Sequence, residues 1–152
     1  MAAGSAASAI TACNAAGGGR VVVPAGMFLS GPIHLKSHVN LHLSAGATIR
    51  FTTNTMAYMP PVFTRFECIE LMNYSAPIYA FAQTDIAITG PGTLDGQGEF
   101  WHRWIKQWDG DIRRLVAMGQ AGVPVAERVF GAGYKLRPNF IQPVRCKNVL
   151  IE

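Results

Sequence analysis

The acidic residues come first in a search for catalysis, because hydrolysis of a sugar linkage uses two carboxyl groups that flank the bond. The chain has 9 Asp and Glu residues, and few of them are close together. Asp109 and Asp111 follow an aromatic stretch, where Asp most often caps the next helix or turn. Asp95 lies in the glycine-rich segment 90–98, where Asp-Gly is a turn signal. We therefore assign no catalytic residue to this chain.

Three histidines form the second candidate pattern. His34, His38 and His42 are four residues apart, which on a helix would place three imidazoles on one face and suggest a metal site. Residues 39–43 instead alternate apolar and polar side chains, and this period of two predicts a strand. The histidines then face solvent, and no nearby Cys or carboxylate completes a ligand set. We predict neither a metal nor an organic cofactor.

Four side chains are candidates for contact with a ligand. Arg65 and Glu67 stand in an otherwise apolar stretch, where they could reach a ligand or form a structural ion pair. Trp101, Trp104 and Trp108 recur at helical spacing, and their flat faces could stack on sugar rings. Aromatic residues at this spacing are more often packed against the scaffold, and we favour that interpretation.

Other common functional patterns are absent from the sequence. It holds neither G-x-G-x-x-G nor a Gly-Lys-[Ser/Thr] ending, and no Gly-x-Ser-x-Gly elbow. Cys13, Cys68 and Cys146 are too few and too scattered for a disulfide framework, so we expect buried thiols. A nucleotide site, a serine nucleophile and a disulfide scaffold are therefore not predicted.

The composition fits one compact globular unit, with 152 residues of which 49% are hydrophobic and 14% charged. The formal net charge is +4, but residues 1–100 have 4 basic and 5 acidic groups and residues 101–152 have 9 and 4. An anionic partner should therefore bind near the second half. No apolar run approaches the roughly 18 residues of a membrane span, and residues 1–12 lack the features of a signal peptide. We expect neither a nucleic-acid nor a membrane partner.

The sequence predicts a helix first and short strands after it. Small apolar side chains at near-helical spacing predict a short helix over residues 5–16, which glycines 17–19 end. Apolar residues at helical spacing predict a second, amphipathic helix over residues 100–108. Short β-type runs separated by Gly and Pro are predicted at Arg20–Val23, Ile33–Leu35, Val39–Leu43 and Thr48–Phe51.

A weak repeat organises these runs. A polar residue followed by [Val/Ile]-x-[Leu/Ile] occurs at residues 38–41, 85–88 and 148–151, and segments 52–77 and 96–139 intervene as insertions. Short strands without long crossover helices argue against a doubly wound sheet and leave a sandwich, a barrel or a β-solenoid. Single-glycine corners favour the solenoid. We predict an all-β solenoid with the first helix as its cap and a helical insertion.

Six segments also carry a family resemblance by their order and spacing. They are GGGRVVVPAG (17–26), GPIHLKS (31–37), LHLSAGATI (41–49), GPGTLDGQG (90–98), RPNF (137–140) and CKNVLI (146–151). From about Ala9 to Glu152 the chain resembles the N-terminal part of glycoside hydrolase family 28, the polygalacturonase family. The resemblance implies a right-handed parallel β-helix, with residues 1–152 as the N-terminal portion of a single, incomplete β-helix domain.

The resemblance also implies an activity, the inverting hydrolysis of α-1,4-galacturonosyl bonds in pectin. The family's motifs are Asn-x-Asp, Asp-Asp, His-Gly and Arg-x-Lys, and the first three are absent from this sequence. We therefore expect a truncated chain whose catalytic aspartates lie beyond residue 152, and which is inactive alone. The implied partner is pectin or an oligogalacturonide, whose carboxylates suit the basic second half.

In the complete enzyme, Arg65, Glu67, Trp101 and Trp104 are our candidates for substrate contact, and Arg137 of the RPNF segment is interpreted as structural. One alternative is a non-catalytic β-helix that binds acidic polysaccharide, and another is a calcium-dependent lyase resembling pectate lyase. We expect a secreted or periplasmic protein. An exposed solenoid end around residues 149–151 predicts self-association.

Overall fold

The computed structural model describes residues 4–152 as a strand-rich fold with three α-helices and three short 3-10 helices. The helices are α1 (Gly4–Ala15), α2 (Gly98–His102) and α3 (Asp109–Gln120), and the 3-10 helices are Thr55–Tyr58, Arg103–Lys106 and Val125–Glu127. The strands are β1 (Gly19–Val23), β2 (Gly26–Ser30), β3 (Ile33–His34), β4 (Val39–Leu43), β5 (Ala47–Phe51), β6 (Val62–Phe66), β7 (Ile69–Asn73), β8 (Ile78–Phe81), β9 (Thr84–Thr89), β10 (Thr93–Asp95), β11 (Ile141–Val144) and β12 (Lys147–Ile151).

Most strands belong to three parallel sheets that the chain visits in turn. Sheet A has the order β1-β4-β9-β12, sheet B the order β2-β5-β10 and sheet C the order β3-β8-β11. Each pass of the chain adds one strand to each sheet, and no long helix connects the parallel strands. This topology is consistent with the predicted parallel β-helix and differs from an antiparallel sandwich or barrel.

The predicted repeat units are neighbours in sheet A. Val149 pairs with Ile86 in a parallel register, and Leu41 pairs with Ile88. Val39, Leu41 and Leu43 are 0 to 2% exposed, so the apolar residues of the alternating pattern form the core. Side chains of α1 pack on the same core, where Ile10 is fully buried.

A column of positive φ angles explains the polar residue that precedes each repeat. Gly18, His38, Asp85 and Asn148 have φ values of 104°, 62°, 55° and 53°. Residues other than glycine enter this region at some cost, and Asn, Asp and His are enriched there. Asp85 also accepts a hydrogen bond of 2.8 Å from Asn148 Nδ2, and its Oδ2 is 3.2 Å from His38 Nδ1. The polar residues thus form a ladder along the corner that leads into sheet A.

The two insertions leave the sheets at the same corner. The first runs from β5 to β8 and the second from β10 to β11, so both connect sheet B to sheet C. The first contains the antiparallel hairpin β6–β7, which packs against α3 through a separate apolar cluster. The fully or nearly fully buried residues of this cluster are Phe66, Leu71, Leu115, Phe130 and Leu136.

Two local predictions need correction. The helix expected over residues 100–108 is instead the short α2 and a 3-10 turn, and the longer helix is α3, with Asp109 and Asp111 in its first turn. Cys68 lies exposed in the turn between β6 and β7, because an antiparallel hairpin presents its turn to solvent. None of the helices within residues 4–152 combines the length and apolar character needed to cross a membrane.

Candidate functional site

A cavity of about 300 Å³ lies where the second insertion returns to sheet C. Its walls come from three chain segments: the turn after β10 together with α2, the stretch before β11, and the residue before β8. A cavity of this volume is at the lower end of the range for small-molecule sites. The lining residues are Pro77, Gly96, Gly98, Trp101, His102, Arg137, Pro138, Asn139 and Phe140.

The turn after β10 sets one wall of this cavity. A Cβ atom on Gly96 would lie 2.8 Å from a ring carbon of Phe140, so glycine permits the close packing of the two segments. Gln97 has a φ of 49°, its amide donates to Asp95 Oδ1 over 3.0 Å, and its side chain donates to the Phe51 carbonyl. These contacts hold the start of α2 against sheet B.

Arg137 is the only arginine or lysine among the residues that line this cavity, and it is half-buried. Its guanidinium carbon lies 5.5 Å from the centre of the Trp108 ring. The buried Nε has no hydrogen-bond partner, and within residues 4–152 no acidic group pairs with this side chain. A buried N–H group without an acceptor costs free energy. We expected a structural role for Arg137, and among the described residues this role does not take the form of an ion pair.

Trp101 and Trp104 are buried, with exposures of 6% and 5%. Their rings lie 4.9 Å apart and pack on Tyr58 and Tyr74, which confirms the favoured packing interpretation. Trp101 also lines the 300 Å³ cavity, and its indole N–H is buried without an acceptor among the described residues. Trp104 does not line this cavity, and Lys135 Nζ lies 4.9 Å from the centre of its ring.

Arg65 and Glu67 lie elsewhere, at the turn of the β6–β7 hairpin. Both are exposed, and Arg65 donates a long hydrogen bond of 3.4 Å to the carbonyl of Cys68. Arg65 borders a second, open groove of about 500 Å³ between the hairpin and α3, whereas Glu67 borders neither that groove nor the cavity. The structure therefore does not bring the four predicted contact residues to one place.

No carboxylate lines the 300 Å³ cavity. Asp95 is held by Arg50, whose Nε donates to its Oδ2 over 2.8 Å. The hydrogen bond from the Gln97 amide, with that of Arg50, lowers the pKa of Asp95 below its ordinary value. Asp111 accepts a hydrogen bond of 2.7 Å from the Lys135 amide. Two carboxyl groups facing each other across a bond are thus not found in this cavity.

The three histidines make separate contacts. His34 Nε2 lies 3.0 Å from Ser75 Oγ, and His42 Nδ1 lies 2.8 Å from Thr89 Oγ1. Burial, followed by the nearby Lys36 charge, lowers the pKa of His34. Within the described part of the chain, no three His, Cys, Asp or Glu side chains are grouped so that they could hold a metal ion.

The tripeptide Arg145-Cys146-Lys147 has the Arg-x-Lys spacing of the resembling family, but its arginine serves the corner after β11. Arg145 has a φ of 53°, and its guanidinium carbon lies 4.7 Å from the centre of the Phe63 ring and 5.7 Å from that of Phe81. This stacking joins the hairpin to sheet C and gives Arg145 a structural role.

The sequence interpretation gave Arg137 a structural role and did not place it in a cavity wall. A usable signal was present, since no Asp or Glu occurs between Glu127 and Glu152 although five Arg or Lys residues do. A run of cations without acidic residues leaves few local partners for any one of them. His102 and Asn139, two further polar side chains of the cavity wall, had no distinguishing sequence signal.

No family model matches the chain, but individual proteins and structures do. A Vitis vinifera protein named "Probable polygalacturonase" is 32% identical over 103 residues, which is 64% of this chain and 20% of the relative. The crystal structure of a hyperthermoactive exopolygalacturonase from Thermotoga maritima superposes with a TM-score of 0.90 and 46% identity, over 95% of this chain and 35% of that one. The family 28 exopolygalacturonase of Yersinia enterocolitica superposes with a TM-score of 0.52 and 32% identity, over 60% and 17%.

The matched relatives share one enzyme class. The chain spans about a fifth of the length of the curated relative and about a third or less of the two structures. The strand-rich fold with its parallel sheets agrees with the enzyme class of the similar proteins. The chain is therefore related to glycoside hydrolase family 28, the polygalacturonase family.

Proposed function

We propose that this chain forms part of a pectin-degrading glycoside hydrolase that cleaves α-1,4-galacturonosyl bonds with inversion. The observation that carries the proposal is the similarity to an exopolygalacturonase structure over 95% of the chain at 46% identity. Similarity of this degree over an insertion-rich region supports a common substrate class as well as a common fold.

Within that enzyme, we propose that this chain binds substrate and that the catalytic carboxylates lie outside it. Inverting glycosidases place two carboxyl groups roughly 6.5 to 9.5 Å apart, with the sugar bond between them. The cavity of this chain offers a cation, an amide, an imidazole and aromatic rings, but no carboxylate. This composition supports recognition of an acidic sugar.

We also propose that the fold is a right-handed parallel β-helix with α1 as its N-terminal cap. Three parallel sheets visited in a fixed order support this proposal, as does the buried Ile10 of α1. We expect the protein to act outside the cytoplasm, in secreted or periplasmic form, because polymeric pectin does not cross a membrane.

Hydrolysis of polygalacturonate by the complete product of this gene tests the proposed activity. We expect release of reducing ends, saturated products and no requirement for calcium. Unsaturated products formed only with calcium would show a lyase and overturn the proposal.

A non-catalytic β-helix that binds acidic polysaccharide is the second candidate. The absence of a carboxylate from the cavity wall favours it over a lyase or another enzyme class. Binding of polygalacturonate by the complete gene product, without any cleavage, would establish this function and refute the first.

A further inference from the structure

We propose that Arg137 binds the carboxylate of a single galacturonate unit in the 300 Å³ cavity, an inference that rests on the proposed function. Nothing else described in the chain gives Arg137 a counter-charge, although it is half-buried and its Nε is fully shielded. A guanidinium binds a carboxylate through two parallel N–H···O bonds, which makes it the side chain suited to this ligand.

The position of the guanidinium supports a ligand rather than a protein partner. The guanidinium carbon lies 5.5 Å from the centre of the Trp108 ring, within the range of a cation–π contact. The neighbouring segment 128–151 contains no acidic residue that could reach it. The cation is thus held in place and remains without a charge partner.

The remaining walls suit the other parts of a sugar acid. Phe140, which is 40% exposed, provides an apolar face, and a ring of this kind packs against the C–H face of a sugar. Asn139 and His102 provide polar groups that can bond hydroxyls. The buried Trp101 N–H lacks an acceptor in the described chain.

Two other open surfaces of the chain are less suited to bind an acidic sugar. The groove beside Arg65 contains Glu70 as well as Arg128, and Arg128 is already bonded to the carbonyls of Val123 and Glu70. The opening on sheet A has Arg20 in its lining together with the carboxylate of Glu152, has no Phe, Tyr or Trp, and its His42 and Thr89 are bonded to each other. Only the Arg137 cavity combines an unpaired cation with aromatic walls among the three.

Titration calorimetry of the chain with galacturonate and trigalacturonate tests the proposal, with galactose and sodium acetate as reference ligands. We expect galacturonate to bind more tightly than both references. Arg137→Met should lower the affinity for the two acidic sugars at least tenfold, because a charge-assisted bidentate contact is lost. The matched control Arg113→Met removes an exposed arginine of α3 outside the cavity and should change affinity less than twofold.

Arg137→Lys is a control for misfolding of the variant, because lysine keeps the charge and loses the bidentate geometry. We expect an affinity between those of the wild type and Arg137→Met, with thermal unfolding unchanged within a few degrees. Equal losses in Arg113→Met and Arg137→Met would show unspecific electrostatics, and unchanged affinity in Arg137→Met would overturn the assignment. Acetate binding as tight as galacturonate would show an anion site without sugar recognition. If the complete gene product cleaved polygalacturonate equally well with and without Arg137→Met, this inference would be refuted and the proposed function would remain intact.

Discussion

Gly18 illustrates how one residue position sets the geometry of a corner. Its φ is 104°, and a Cβ atom there would lie 2.4 Å from the carbonyl oxygen and 2.5 Å from the Cβ of His38. Gly17 has a similar φ of 97°, but nothing lies within 4 Å of the position that a Cβ atom would occupy there. Substitution at either glycine costs backbone strain, but only substitution at Gly18 also creates steric overlap. A comparison of the two positions therefore distinguishes the two costs.

We predict that Gly18→Ala lowers the free energy of unfolding by more than about 3 kcal/mol, whereas Gly17→Ala lowers it by only about 1 to 2 kcal/mol. Urea unfolding followed by circular dichroism measures both values. Equal losses in the two variants would contradict the packing of residues 17–19 against the corner before β4.

Asp95 gives a prediction about pH. Hydrogen bonds from the Gln97 amide and Arg50 lower its pKa below the ordinary 3.8, so the folded state binds this proton less readily than the unfolded state does. The stabilisation is present above pH 3.8 and is lost as the pH falls through and below that value. Asp95→Asn should therefore be less stable than wild type near neutral pH and should lose less stability on acidification.

Unfolding temperatures measured from about pH 6 down to about pH 3 check this expectation. Asp109→Asn is the matched control, because Asp109 is exposed and forms no ion pair among the described residues. If the curves of Asp95→Asn and wild type stayed parallel over the whole range, the Arg50 contact would have no role in stability.

At the scale of elements, the insertions depend on a core of their own. Leu115 of α3 is 1% exposed and belongs to the cluster that joins α3 to the β6–β7 hairpin. Leu115→Ala should cost about 2 to 5 kcal/mol, the usual range for a buried leucine. The control Leu29→Ala, at a side chain that is 58% exposed, should cost less than about 1 kcal/mol.

Hydrogen exchange adds a local measurement to this comparison. We expect Leu115→Ala to speed exchange in β7 and α3 more than in sheet A, since the cluster lies outside the main core. Uniform acceleration over all elements would show that insertions and sheets unfold as one unit.

Some elements followed directly from the sequence, and others did not. The repeat units became the neighbouring strands β4, β9 and β12, and the alternating apolar residues of β4 and β9 face one core, which is a local pattern. The hairpin β6–β7 was not predicted, since its turn has Glu67 at a φ of 51° without the usual Gly or Asn. Helix α3 was not predicted, because Gly110 near its start weakens the helical pattern. The burial of α3 also depends on the hairpin, which is distant in sequence.

The candidate site was harder to predict for the same reason. Arg137 and Trp101 meet at one cavity although 35 intervening residues separate them in the sequence. Sequence spacing indicated that Trp101 packs, and it carried no information about which cation the fold places beside that tryptophan. The missing counter-charge of Arg137 becomes visible only when contacts of all neighbouring segments are known.

For the whole molecule, we expect strand β12 to govern self-association, because it forms one end of the stack of strands. Strand β12 is at the edge of sheet A, and Val149, Leu150 and Ile151 are 42%, 52% and 54% exposed. An apolar edge strand is a template for pairing with another chain. We predict concentration-dependent self-association of this chain in sedimentation velocity.

Leu150→Lys should shift the chain toward monomer, because a charge on the edge opposes pairing. Leu29→Lys adds the same charge on β2, the strand at the opposite edge of sheet B, and should leave association unchanged. A monomer at all concentrations, or an equal effect of both variants, would contradict association through β12.

We propose that this chain belongs to a pectin hydrolase and contributes binding rather than the acid and base. Reducing-end release from polygalacturonate tests it most directly, when the 152-residue chain is compared with the complete product of its gene. We predict release by the complete product and none by the 152-residue chain, whose cavity has no carboxylate. Release by the chain alone would contradict the account and would direct attention to Asp95, Asp109 and Asp111.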